Sequence, residues 1–185
     1  MGAAARCPTH GDRPRQAEEE EDGKNQILGS MRRIDDRRGA VRVEDVYDTD
    51  IADLWAAITE PDRLVRWIAR VEGELRVGGP VQAQFPSTWE GPGRIDVCDA
   101  PHHLVVTMEP GTDEEAVIEA VLTAEGERTR LVVEERGLPL DVLSKHGAGW
   151  QAHIEDLGRY LSGGGSNWKA RWTELTPEYE TLPVG

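Results

Sequence analysis

A stripe of apolar and small residues near the end of the chain constrains its fold more than any other feature. Leu140, Leu143, Gly147, Trp150, Ile154, Leu157 and Leu161 recur at alternating steps of three and four, the period of an α-helix with one buried face. Gly137 and Pro139 mark the start of this predicted helix, and Gly163, Gly164 and Gly165 stop it. Upstream, Val41 to Glu135 reads instead as short strands with two small helices near the front. A long helix cannot bury its stripe alone, so the strands must form a sheet that wraps it.

The strand pattern supports that picture. Residues 41–47 alternate, with Val41, Val43 and Tyr47 on one face, and predict a first strand. Asp48, Asp50 and Asp53 follow. The calcium-loop spacing is missing, so these acids are expected to cap a helix rather than hold a metal. That helix carries Ile51, Leu54, Trp55 and Ile58 on one face. Thr59-Glu60-Pro61 breaks it, and Pro61 suits the first turn of a second short helix over 62–67. Six more strands are predicted at 71–77, 81–85, 94–98, 104–108, 116–124 and 129–135, separated by Gly- and Pro-containing turns. No helical crossover separates any pair of them, so the sheet is expected to be antiparallel.

Charge and composition narrow the classes of partner. The chain has 185 residues and a net charge of −14, which makes nucleic acid and anionic membranes poor partners. All of that charge belongs to residues 39–185, because residues 1–38 carry equal numbers of acids and bases. Residues 1–38 have few apolar side chains beyond Ile27, Leu28 and Ile34, and are expected to be a disordered tail. Met1-Gly2 is not read as a myristoylation signal, since Arg6 stands where Ser or Thr is needed. Met31 offers an alternative start to Met1. The expected domain covers 39–164, and the aromatic segment 165–185, with Trp168, Trp172, Leu175 and Tyr179, is expected to pack partly on it. Two cysteines, Cys7 and Cys98, form neither a disulfide framework nor a zinc spacing. With no apolar run of membrane-spanning or signal-peptide length, the expectation is a soluble cytoplasmic protein.

The order strand, two short helices, six strands, long helix is that of a helix-grip fold, an α+β architecture with a curved antiparallel sheet around its C-terminal helix. Particular residues resemble a family with this shape. They are Leu54-Trp55 through Thr59-Glu60-Pro61-Asp62, Arg66-Trp67, Val77-Gly78-Gly79, Gly93-Arg94-Ile95, Pro101, Leu104-Val105-Val106-Thr107, and Gly149-Trp150 through Leu157 to Tyr160-Leu161. Together they resemble the SRPBCC (START-like) superfamily over roughly residues 40–164, and within it the AHSA-type branch, named for activators of the 90-kDa heat-shock-protein ATPase. The resemblance implies a cavity between sheet and helix that takes an apolar small molecule. Relatives of this shape include stand-alone bacterial proteins and cyclases or aromatases of polyketides. Full co-chaperones of the branch carry a separate N-terminal domain, and residues 1–38 are too few and too polar to be one.

Few residues offer chemistry. His102 and His103 follow Ala100-Pro101 in an expected solvated turn. His146 and His153 fall within about 60° of Trp150 around the long helix, on or beside the face turned to the sheet. They are separated by about 10.5 Å along the axis, too far to share a metal from adjacent turns. Each is read either as a rim histidine or as a polar group that orients a ligand. Cys98 is read as a small buried hydrophobe. Trp150, Trp67 and Trp89 are candidate cavity walls, Trp150 foremost. No phosphate loop, dinucleotide fingerprint, nucleophile elbow or zinc signature occurs, so no cofactor and no metal are expected.

The favoured expectation is a non-enzymatic protein that binds an apolar or weakly polar molecule through Trp150, His146, His153, Trp89 and Trp67. The alternatives are a polyketide cyclase-, aromatase- or hydrolase-like enzyme in the same cavity, and a chaperone-associated interaction protein. A homodimer stays open.

Overall fold

The computed structural model describes residues 26–185. The first part of the expected tail, residues 1–25 with Cys7 and His10, lies outside the described residues. Eight strands form one antiparallel sheet in the order β1-β2-β8-β7-β6-β5-β4-β3. They are β1 (Gly29–Arg33), β2 (Arg38–Tyr47), β3 (Arg70–Gly73), β4 (Pro80–Gln84), β5 (Glu90–Asp99), β6 (His103–Met108), β7 (Ala116–Glu125) and β8 (Arg128–Pro139). Helices α1 (Ile51–Thr59) and α2 (Pro61–Leu64) follow β2; α3 (Leu143–Leu161) and α4 (Trp168–Thr181) close the chain. The sheet curves around α3, which is the predicted helix-grip arrangement.

The ends of the elements follow local chemistry. Asp50 caps α1, accepting from the Asp53 amide at 2.8 Å, so the capping reading of the acids holds there. At the other end of the chain Gly163 adopts φ +82° and ends α3, a left-handed conformation that glycine enters without a Cβ penalty. The predicted start of α3 differs. Gly137 and Pro139 belong to the end of β8, and a 3₁₀ turn over Leu140–Val142 leads into the helix.

The expected tail also differs over its described part. Residues 29–33 form the edge strand β1, and β2 begins at Arg38. Composition misleads here because few apolar side chains are needed. Met31 alone is buried from the strand's own residues, and the ladder to β2 satisfies the backbone. One side chain of α3 then fixes the segment's approach. Gln151, fully buried, accepts the Leu28 amide at 3.0 Å and donates to the Gln26 carbonyl at 2.8 Å.

Residues 165–185 supply α4, which covers the face of α3 turned away from the sheet. Trp168, Arg171, Leu175 and Tyr179 form its buried stripe. Tyr179 has no exposed surface and donates to Gln151 Oε1 at 2.8 Å. Its ring lies so close to Gly147 that a Cβ there would meet it at 2.5 Å. Gly147 is therefore the gap in α3 that admits Tyr179. Asp156, almost fully buried, accepts the Asn167 amide at 2.8 Å and the Ser166 hydroxyl, which holds the start of α4.

Gln151 thus joins β1, α3 and α4 with every donor and acceptor used, its second donor bond going to Glu155 at 2.9 Å. Replacing Gln151 with Ala leaves the Leu28 amide and the Tyr179 hydroxyl without their partner. Denaturant unfolding should show a loss of about 3 kcal/mol, and exchange of the Leu28 amide should quicken.

Candidate functional site

Inward-facing side chains of the sheet do not all reach α3. They leave a cavity of about 180 Å³, open to solvent on one side, between β3–β8, the α1–α2 segment and one residue of α3. Ile118 and Ala120 of β7 and Leu131 and Val133 of β8 form its floor, Trp67 lines it from the segment after α2, and Trp150 closes it from α3. Thr59 carries the one hydroxyl among the lining side chains, and that hydroxyl donates to the Trp55 carbonyl at 2.7 Å. The wall is therefore apolar, and the polar groups that could act on a ligand stand at its margin.

The indole N–H groups of the two lining tryptophans are both used. Trp67 donates to the Ala57 carbonyl at 3.0 Å, and Trp150 donates to Glu135 Oε2 at 2.7 Å. The same Glu135 oxygen lies 2.9 Å from His146 Nδ1. Glu135 is 8% exposed. It continues the inward alternation Leu131, Val133, Glu135 along β8, and its cross-strand partner is Ile118. Burial opposes a charge on His146, but the hydrogen bond and negative charge of Glu135 outweigh it and raise the imidazole above its ordinary value.

His153 sits about two turns further along α3 in a different environment. Its ring stacks on Trp168 with centroids 5.3 Å apart and meets Phe85 and Trp150 edge-on at 6.2 and 6.1 Å. Nδ1 lies 3.2 Å from the Trp67 carbonyl, so the neutral ring carries its proton there. Burial depresses His153 to about 4, although that hydrogen bond works the other way.

Of the five expected site residues, Trp150 and Trp67 line the cavity, and Trp89, His146 and His153 do not. Trp89 lies at the β4–β5 turn, 36% exposed, and reaches the wall only through Phe85, 5.6 Å away. His146 is held at Glu135, and His153 is packed behind Phe85 and Trp150. Cys98 corrects its sequence reading: it is exposed and lies at the cavity wall. An irregularity in the β5–β6 register between Ile95 and Val97 shifts the alternation by one residue. Cys98 then takes an inward position opposite Leu104, another wall residue. Glu135 was missed altogether. Its signal was there in the step of two from Leu131 and Val133, but a glutamate at a strand end reads as solvent-facing.

A larger polar groove of about 760 Å³ lies between the end of β2, the end of α3 and α4. Its charges largely answer one another, as in the Arg171–Glu155 pair at 2.6 Å. Burial pushes the Asp45 carboxyl there upward, and the charge of Glu155 adds to it. Among the described residues no group of three or more His, Cys, Asp and Glu could hold a metal ion. Among the described residues no helix is long and apolar enough to cross a membrane.

Comparison with known proteins agrees with the geometry. The family model described as Activator of Hsp90 ATPase homolog 1-like protein matches residues 48–162. No curated protein sequence matches the chain. Among solved structures, CalU16 from Micromonospora echinospora is 23% identical with a TM-score of 0.68, over 83% of this chain and 96% of that one. A conserved protein of unknown function from Enterococcus faecalis, EF2215, is 19% identical with a TM-score of 0.69, over 89% and 95%. DynU16, from the dynemicin biosynthetic locus, is 24% identical with a TM-score of 0.62, over 69% of this chain and 48% of that one. At these identities the likeness is one of fold.

The two histidines make opposite contributions to stability. His153 is lowered on folding, so its contribution is complete above pH 6.5 and is lost as pH falls toward 4. His146 is raised, so its contribution is complete below pH 6.5 and is lost above it. Between pH 6.5 and about pH 5 the change belongs to His153 and amounts to about 2 kcal/mol lost on acidification. Unfolding free energies across this window should show that slope in the wild type and lose it in His153→Gln. A flat wild-type profile would contradict the buried neutral ring.

Proposed function

The chain belongs to the Activator of Hsp90 ATPase homolog 1-like family, and on that premise we propose that it binds a small organic molecule in the cavity between sheet and helices. The observation that carries this reading is the apolar cleft itself, about 180 Å³, lined by Trp150 and open to solvent on one side. Apolar side chains left uncovered in such a cleft gain by being removed from water, which a ligand of matching shape achieves. Apolar walls with a few polar groups at one margin are also the usual build of a ligand pocket. An engineered cavity of about 150 Å³ takes benzene, so the ligand portion held here is of the order of one substituted ring. DynU16 belongs to a biosynthetic locus, a setting that suits a cavity for a small organic molecule.

A second reading rests on Glu135 and His146. A carboxylate and an imidazole sharing a hydrogen bond beside a cavity are the components of acid–base catalysis. In a cyclase-, aromatase- or hydrolase-like reaction this pair would move a proton on a molecule seated against Trp150. The reading needs the bound molecule to change.

A thermal-shift series of single-ring and two-ring aromatic compounds tests both. A compound at about a hundredfold excess over its Kd should add about 2.7 kcal/mol of stability. Ala120→Leu, which builds into the cavity floor, should abolish the shift while the protein still melts cooperatively. Mass spectrometry of the recovered compound then separates binding from turnover. If no compound shifts the melt, the cavity reading fails.

A further inference from the structure

The hydrogen bonding of Glu135 is lopsided. A carboxylate accepts through both oxygens and offers about four lone-pair sites. Here Oε2 faces two donors, Trp150 Nε1 at 2.7 Å and His146 Nδ1 at 2.9 Å, while Oε1 accepts from none of the described residues. The residue is 8% exposed. Among the described residues no fully buried side-chain oxygen or nitrogen lacks a partner, so Oε1 keeps contact with solvent and is an acceptor that water or a ligand can reach.

Its surroundings say what would reach it. Glu135 occupies the inward position of β8 directly after Val133, opposite Ile118 of β7, and both of those side chains line the cavity. Trp150, which fixes Oε2, also lines it. Three neighbours of the carboxylate are thus cavity walls, and its rotation is restrained by the two donors on Oε2. An apolar wall that ends at one restrained acceptor discriminates by hydrogen bonding. A molecule that cannot donate leaves the acceptor unpaired when it displaces water.

We propose that Glu135 Oε1 receives the head group of the cavity's ligand, so that the ligand is an apolar ring-sized body ending in a hydroxyl or an amine. This rests on the cavity reading above and adds to it the chemistry of one end of the ligand. Glu135 is then a binding residue, and Trp150 and His146 are the groups that position it. Methyl ethers and bare hydrocarbons of the same shape are discriminated against.

Calorimetric titration of the full chain with four matched probes tests the proposal. Para-propylphenol and para-propylaniline donate a hydrogen bond; para-propylanisole and propylbenzene do not. The donors should bind about tenfold more tightly than the non-donors. In Glu135→Gln, whose amide can keep an oxygen toward Trp150 and turn its NH₂ toward the cavity, the ratio should fall to within about twofold. Equal wild-type affinities with propylbenzene bound would overturn the proposal and leave the cavity reading standing. A donor preference that survives in Glu135→Gln would overturn the assignment to this residue. Binding of none of the four would overturn the cavity reading and the proposal together. Should Glu135→Gln fail to fold, the carboxyl ¹³C signal of Glu135 in the wild type reads the residue directly: para-propylphenol should move it more than propylbenzene does, and equal movement overturns the assignment.

Discussion

The fold depends on the burial of α3 from two sides. Its sheet-facing residues, Leu143, Trp150, Ile154 and Leu157, pack toward the curved sheet, and Gly147, Gln151 and Asp156 serve α4 and β1. A helix covered on one side only would need a polar opposite face. This one instead carries small residues, the buried Gln151 and Asp156 and the half-buried Glu155 there, and each polar side chain has its partners supplied by the neighbouring element. Glu155 meets Arg171, Asp156 meets the start of α4, and Gln151 meets both Tyr179 and the backbone before β1. Neutral and ionic hydrogen bonds to buried groups contribute modestly when made and cost more when broken, so they select this arrangement against others.

That two-sided burial explains what could be read in advance. The stripe from Leu143 to Leu161, the six strands after the short helices and the antiparallel order all follow from periodicity, which is a record of which face meets the core. The second face of α3 left no such record. Gln151 and Asp156 look like ordinary polar surface positions until Leu28, Tyr179 and Asn167 are brought to them, and Gly147, though in the stripe, gives no sign that Tyr179 is what it meets. The edge strand β1 escaped for a related reason: its hold is backbone pairing, one buried methionine and one glutamine, too little for composition to register.

The cavity margin was partly legible. Trp150 and Trp67 were identified from their spacing and the family resemblance, and both line the space. His146 and His153 were placed correctly near Trp150 around the helix, yet helical angle alone does not tell which neighbour each one meets. One is drawn to Glu135 and its charge is favoured; the other lies among aromatic rings and its charge is suppressed. Two histidines seven residues apart on one helix thus differ in sign of response, because the sheet and α4 give them different surroundings.

The irregularity in β5 has a consequence for how such a wall can be remodelled. Side chains alternate along a strand, so a single added residue reverses the parity of everything beyond it. In β5 the shift between Ile95 and Val97 turns Cys98 inward while Ile95 stays inward on the other side of it. The far part of the wall is thereby decoupled from the near part. Lengthening or shortening the strand by one position there exchanges a thiol for its neighbour and moves only the far end of the pairing with β6. The lining is editable by counting as well as by substitution, and a lineage that varies strand length can change what the cavity presents while the frame around α3 stays as it is.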